Sequence, residues 1–336
     1  MKIFFLTLIK FTVFVTIFYV VFISICGWIF PDFLKRNLLS ATTDIGYTSR
    51  RIAEMKTAGV VDILFLGSSR SYRGFDIRIF RQAGYTSFNL GTSNQTPDQS
   101  YYLLKKYLPK LLPKTVIFEV NPDIFSGDGV ESAVDIISHS TPHLDLLHLI
   151  WASKNIKAIN GFIFTCLRYM FISDEIETLA SDSLHYQYIP GGYVATRNSA
   201  YNSKLGNIYN CNLNDDQLKA FENIINLLAA KGIKTLLVQA PVVKKLYESC
   251  HENERFDRFM RSHGVYYNFN LSSVSSVAEH KEVSKTVNQS IKLTDTMYFI
   301  DGQHLNQKGV QKFNELILMR LRELDQKKAA GHNNIK

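Results

Sequence analysis

Cysteine is scarce in this chain, with four among 336 residues, and none has the close spacing that a zinc site needs. Cys26 falls inside an apolar run, while Cys166, Cys211 and Cys250 are far apart. One disulfide among them would suit an oxidising compartment, but their spacing singles out no pair. Histidine does no better as a metal ligand. His143, His148, His185, His251, His263 and His280 lack carboxylates at ligand spacing, so neither a metal nor a cofactor is expected. Internal repeats and low-complexity blocks are also missing, which removes the repeat architectures.

Clustered charge is absent too. The net charge is +8 and the isoelectric point about 9.1, yet Lys and Arg are dispersed and never interleave with aromatics in a nucleic-acid-binding pattern. No nucleic-acid partner is expected. A solvated surface beside anionic lipid or acidic polysaccharide fits the balance as well. Hydrophobic residues make up 46% and charged residues 20%, enough for a sizeable core in one large domain or two small ones.

One long hydrophobic run is present. Phe11 to Phe30 carries no charge over 20 residues, so a helix there crosses about 30 Å of hydrocarbon. No small-x-small cleavage site follows, and Ile25 before Cys26 argues against a lipoprotein signal. Residues 1–32 are therefore read as a retained transmembrane anchor. Lys2 and Lys10 lie before the run and Lys35, Arg36, Arg50 and Arg51 after it, so charge alone orients it weakly. The short N-terminus and long remainder favour a cytoplasmic N-terminus with the domain outside the cytoplasm.

Beyond the anchor, residues 31–57 read as a connecting segment that ends in an amphipathic helix over 48–56. Short apolar runs at 63–66, 86–90, 115–120, 235–240 and 265–269 read as five strands. Helical patterns fall between them at 75–83, 99–112, 215–230 and 242–263, and a last one covers 307–324. Strands alternating with helices predict an α/β fold with a parallel sheet. The rhythm breaks over about 124–212, which is too long for a simple connection and is read as an insertion or lid. Within it, the apolar stretches of 143–170 read as helical, Leu144, Leu147, Ile150 and Trp151 look like a packing stripe, and 181–210 looks like loop. Residues 281–296 read as a polar approach to the last motif, and 327–336 as a disordered tail.

Asp62-Ile-Leu-Phe-Leu-Gly-Ser-Ser-Arg-Ser71 is the stretch around which the chemistry is organised. A strand ends at Gly67, the backbone turns, and Ser69 stands where a helix begins, a position suited to a nucleophile or simply to a capping serine. Near the other end, Asp301-Gly-Gln-His304 spaces a carboxylate so that it can hold one imidazole nitrogen and leave the other for a serine. Three loops follow the C-terminal ends of the first three strands at the same sheet edge: Gly67–Ser69, Gly91–Thr92 and Asn121. The N–H groups of Ser69 and Gly91 and the Asn121 amide are the candidate oxyanion donors. Arg70 and Arg73 flank the serine, either as helix-surface residues or as anion-orienting groups. Asp123 reads as a turn residue, and Gln303 as turn or pocket.

In these blocks the chain resembles the SGNH/GDSL hydrolase superfamily. Gly67-Ser68-Ser69 corresponds to its Gly-Asp-Ser block with Ser68 replacing Asp, and Gly91 to its second block. Glu119-Val-Asn121-Pro122 matches the third only in part, and Asp301-x-x-His304 matches the last. The resemblance spans residues 62–310. It implies a three-layer α/β/α, flavodoxin-like domain with a five-stranded parallel sheet over residues 33–326, with Ser69 as nucleophile, His304 as base and Asp301 as its orienter. The Gly-Ser-Ser block behind an anchor is similar to a subgroup that acylates surface polymers, such as the proteins of D-alanyl-lipoteichoic-acid transfer and alginate O-acetylation. For that subgroup the implied activity is O-acyl transfer onto an envelope polysaccharide, beside a membrane-bound O-acyltransferase partner. An acyl or carbohydrate esterase, and an inactive glycan-binding or scaffold subunit, are the alternatives.

Overall fold

A computed structural model describes residues 1–31, 38, 46–171, 182–202, 211–271 and 293–333, the last seven as backbone only. Most of the connecting segment (32–37 and 39–45), most of the polar approach (up to 292), and 172–181 and 203–210 of the insertion lie outside the described residues.

Five strands form one parallel sheet: β1 (Ile63–Leu66), β2 (Ser87–Asn89), β3 (Thr115–Glu119), β6 (Lys234–Gln239) and β7 (Val265–Asn268), in the order β2-β1-β3-β6-β7. The numbers skip an antiparallel hairpin, β4 (Tyr186–Ile189) and β5 (Tyr193–Thr196), that forms a second, two-stranded sheet. Successive side chains of a strand point to opposite faces, and here both faces are apolar and buried. Leu64, Leu66, Val116, Phe118 and Leu237 pack on the helices Pro97–Leu111, Val130–His139, Asp215–Ala230 and Asn253–His263. Ile63, Phe65, Ile117, Leu236 and Val238 face Ile77–Gln82 and the long last helix Gln307–Asn333. The result is the expected three-layer α/β/α fold. Its strand order is flavodoxin-like, with the crevice outside the β1 and β3 ends at the point where the order reverses.

Local chemistry fixes the helix starts. Thr96 and Gln99 form a capping box before Pro97, and the side chains of Asp76 and Asn214 cap the helices that follow them. The last helix is tied to the segment after β1 by buried Asn314. Its amide donates to Gly74 O at 2.7 Å, and its oxygen accepts from Asp76 N at 3.2 Å. Phe75 stacks between Phe65 and Phe313, with centroids 4.6 and 5.4 Å away. These contacts bring the C-terminal motif to the β1 exit. The same helix runs to Asn333, past residue 326 where a disordered tail was expected. Its backbone ladder simply continues through a Lys- and Ala-rich run of good helix formers.

In the insertion after β3, the helices expected over 143–170 are present as Leu147–Ser153 and Ile156–Phe171, and Val130–His139 forms a further one. Residues 186–196, expected as loop, form the β4–β5 hairpin, which turns through Gly191 and Gly192 at φ of 102° and 95°, a region where glycine carries no penalty. The hairpin caps the β2 edge, with Asn89 N donating to Gly191 O at 2.9 Å. Glu54 accepts from Gly191 N at 2.7 Å and from the Tyr188 hydroxyl at 3.0 Å. Of the expected packing stripe, Ile150 packs on the core beside buried Leu146 and Leu149, while Leu144 and Trp151 are 76% and 79% exposed.

At the N-terminus, Lys2–Trp28 is one continuous helix. Among the described residues it is the helix long and apolar enough to cross a membrane. Cys211 and Cys250 form a disulfide with Cα atoms 5.6 Å apart.

Candidate active site

β1 delivers the serine turn to the edge where β1 and β3 end. Gly67 has φ of 130°, and a Cβ there would come within 2.8 Å of the Glu119 backbone oxygen and Cβ. Only glycine allows the two strand exits to approach so closely. Ser68 caps the short helix Ser69–Gly74, so Ser69 is its first residue.

Ser69 Oγ lies 2.8 Å from His304 Nε2, and His304 Nδ1 lies 2.8 Å from Asp301 Oδ2. An ionised carboxylate only accepts, so Nδ1 carries the proton and donates to Asp301, while Nε2 accepts from the Ser69 hydroxyl. The other Asp301 oxygen accepts the backbone N–H groups of Gln303 and His304, each at 2.8 Å. One carboxylate thus shapes the turn and orients the ring. The Phe299–Leu305 bridge and the Ile300 N–H to His304 O bond at 2.9 Å close the loop behind it.

Burial pushes the Asp301 carboxyl up. The hydrogen bond and charge of His304 and the two backbone N–H groups outweigh this and hold it at about 2. His304 is shifted down, first by burial and then by the positive charges of Arg73 and Arg70, against the pull of Asp301. The imidazole is therefore neutral at neutral pH, the state a general base needs.

Both arginines of the serine helix are drawn in from the surface. Arg70 is buried and pairs with Asp123 at 2.5 Å, which gives Asp123 an ionic role beyond its turn. Arg73 is half-buried, with its guanidinium 4.6 Å from the Tyr186 ring centroid of the hairpin and 5.5 Å from that of Tyr72. Arg70, Arg73, Pro241, Gln303 and His304 line one narrow cleft. A larger acidic hollow, lined by Asn94, Asp123, Asp128 and Glu131, includes neither Ser69 nor His304.

The two other expected donors are engaged inside the fold. Gly91 packs against the carbonyls of Gly67 and Ser68, but its N–H donates to Asn89 Oδ1 at 2.9 Å. Asn121 is fully buried. Its amide donates to Glu119 Oε1 at 2.8 Å, and its oxygen accepts from Ile124 N at 3.2 Å as the cap of the helix Pro122–Ser126. The structure brings both residues to the site edge without aiming either at Ser69.

Sequence reasoning missed Glu119. This buried carboxylate accepts from the Ser68 hydroxyl at 3.0 Å, from Ser68 N at 3.4 Å and from Asn121. Burial raises its pKa, opposed by the Arg70 charge and by the Asn121 and Ser68 hydrogen bonds. The only hint was an acidic residue closing an otherwise apolar strand.

No protein-family model and no curated protein matches this chain. Among solved structures, a GDSL-like lipase from Bacteroides thetaiotaomicron aligns over 83% of this chain and 98% of its own, at 13% identity and a TM-score of 0.42. A putative acylhydrolase from Bacteroides fragilis aligns over 82% and 94%, at 12% identity and a TM-score of 0.39. At that distance the site itself must carry the functional reading.

Proposed function

We propose that this chain is a serine-dependent acyl-ester enzyme whose triad is Ser69, His304 and Asp301. The observation that carries the reading is the 2.8 Å approach of Ser69 Oγ to His304 Nε2, with Asp301 on the far ring nitrogen. In the first half-reaction Ser69 Oγ bonds to the acyl carbonyl carbon and its proton passes to Nε2. The imidazolium then protonates the departing alkoxide, leaving an acyl-serine. In the second, an acceptor hydroxyl gives its proton to Nε2 and takes the acyl group, and Ser69 is regenerated. The Ser69 N–H is the oxyanion donor of this reading. Gly91 and Asn121 join it if substrate draws them from Asn89 and Glu119.

The acceptor we favour is a sugar hydroxyl of an envelope polysaccharide, with acetyl as the acyl group and a membrane-bound O-acyltransferase as donor partner. Water as acceptor is the esterase alternative. The residue pattern Gly67-Ser68-Ser69 behind an anchor motivates transfer, and the Cys211–Cys250 disulfide supports an oxidising, extracytoplasmic location. Helix Lys2–Trp28 is read as the retained anchor, with the N-terminus cytoplasmic.

Purified full-length protein given an acetyl ester and a polysaccharide acceptor tests the choice. Acetylated polysaccharide that disappears in Ser69→Ala supports transfer. Rapid acetate release with no acylated acceptor leaves an esterase, and neither product points to a scaffold subunit.

A further inference from the structure

The serine helix carries one arginine that pairs with a carboxylate and one that does not. Arg70 is answered by Asp123 at 2.5 Å. Arg73 makes no ion pair among the described residues. Its Nη1 donates to the Tyr186 hydroxyl at 3.4 Å, and its Nε is buried without a hydrogen-bond partner. The charge of Asp301 reaches it through space, but one Asp301 oxygen is held by His304 Nδ1 and the other by two backbone N–H groups. A half-buried guanidinium with an idle donor costs free energy until an acceptor meets it.

The guanidinium is also fixed in place. It lies 4.6 Å from the ring centroid of Tyr186, on the hairpin, and 5.5 Å from that of Tyr72, on the serine helix. Aromatic faces attract a cation without neutralising it, and they leave the Nε side of its fork for an oxyanion to take with two N–H groups. Arg73 follows Ser69 by one helical turn on the same face, and helical side chains lean back towards the N-terminus. It lines the same narrow cleft as Gln303 and His304.

His304 Nε2 exchanges its proton with the sugar oxygen in the acyl-transfer reading, so the sugar lies on the imidazole side of Ser69, where Arg73 stands. The acyl oxygen turns instead to the Ser69 N–H. We infer that Arg73 selects an anionic sugar, its guanidinium pairing with a carboxylate or phosphate carried by the sugar whose hydroxyl is acylated. This rests on the proposed Ser69 chemistry and adds the class of acceptor to it.

Labelling of Ser69 by a fluorophosphonate, with and without a competing sugar, tests this on the full-length protein without needing turnover. The sugars are methyl glucuronoside, methyl glucoside 6-phosphate and neutral methyl glucoside, at about pH 8 so that His304 is neutral in every variant. One or both anionic sugars should slow labelling of the wild type at concentrations on the order of tenfold or more below the neutral one. Which of them does so tells carboxylate from phosphate. Arg73→Gln should lose the difference, and Arg73→Lys, which keeps the charge without the fork, should keep part of it. Equal protection by all three sugars, protection by none, or a preference that survives in Arg73→Gln overturns the inference and leaves the triad standing. If Arg73→Gln does not label, Arg73→Lys decides: a reduced preference supports the inference and an unchanged one overturns it. A wild type whose Ser69 does not label removes the triad reading, and the anionic sugar falls with it.

Discussion

Ser68 donates its hydroxyl to Glu119 Oε2 over 3.0 Å, so the β1 and β3 exits are joined one residue before the serine that faces His304. The same carboxylate takes the Asn121 amide, and all of these atoms are buried. Removing an acceptor of this kind leaves each donor unpaired at a cost of about 1–3 kcal/mol.

Glu119→Ala is therefore expected to lower stability by at least about 2 kcal/mol, read as a shift of the urea midpoint. It should also lower kcat more than it raises KM, because it loosens the turn carrying Ser69 rather than a surface that holds substrate. An unchanged midpoint would show that the carboxylate does not hold the turn.

The pH profile separates the charges around His304. Burial and then Arg73 shift the imidazole down, so the acidic limb of kcat/KM should fall below the ordinary histidine value of about 6.5. Activity needs the neutral ring. Arg73→Gln removes a positive charge, raises the His304 pKa and should move that limb to higher pH. A limb that stays in place means Arg73 is not felt by the ring.

Asp301→Asn acts in the other direction. Loss of the carboxylate removes the interaction that favours the imidazolium and frees the wrong tautomer, so kcat should drop on the order of 10³–10⁴-fold. Stability carries a matching signature. A carboxyl held at about 2 against an ordinary 3.8 contributes stability above about pH 4, lost as the pH falls towards 2. The stability gap between wild type and Asp301→Asn should close over that window in urea titrations. A gap independent of pH would contradict the assignment.

Much of this was legible in the sequence because the signals are local. Strands buried on both faces read as short apolar runs, and Asp301-x-x-His304 carries its geometry in its own turn. Glu119 was not legible, since a lone acid at a strand end reads as solvated until β1 is known to pass beside it. The outer face of 144–153 was misjudged because a helix apolar on both sides has no unique inward direction. The hairpin was hidden because Tyr186 to Thr196 is short and its stability comes from Glu54 and Arg51, more than 130 residues earlier. The contact of Ser69 with His304 spans 235 residues and follows only from the sheet order.

The disulfide offers a check on compartment. Alkylation before reduction should label Cys26 and Cys166 and spare Cys211 and Cys250, and all four should react afterwards. Cys211→Ser should cost about 2–4 kcal/mol of stability. Modification of Cys211 without reductant would contradict an oxidised, extracytoplasmic protein.

The most direct measurement is covalent capture by a fluorophosphonate probe, read by peptide mass spectrometry on the full-length protein. The account predicts a single adduct on Ser69, absent in Ser69→Ala and strongly slowed in His304→Ala. No adduct, an adduct on another serine, or labelling that survives in Ser69→Ala would contradict it.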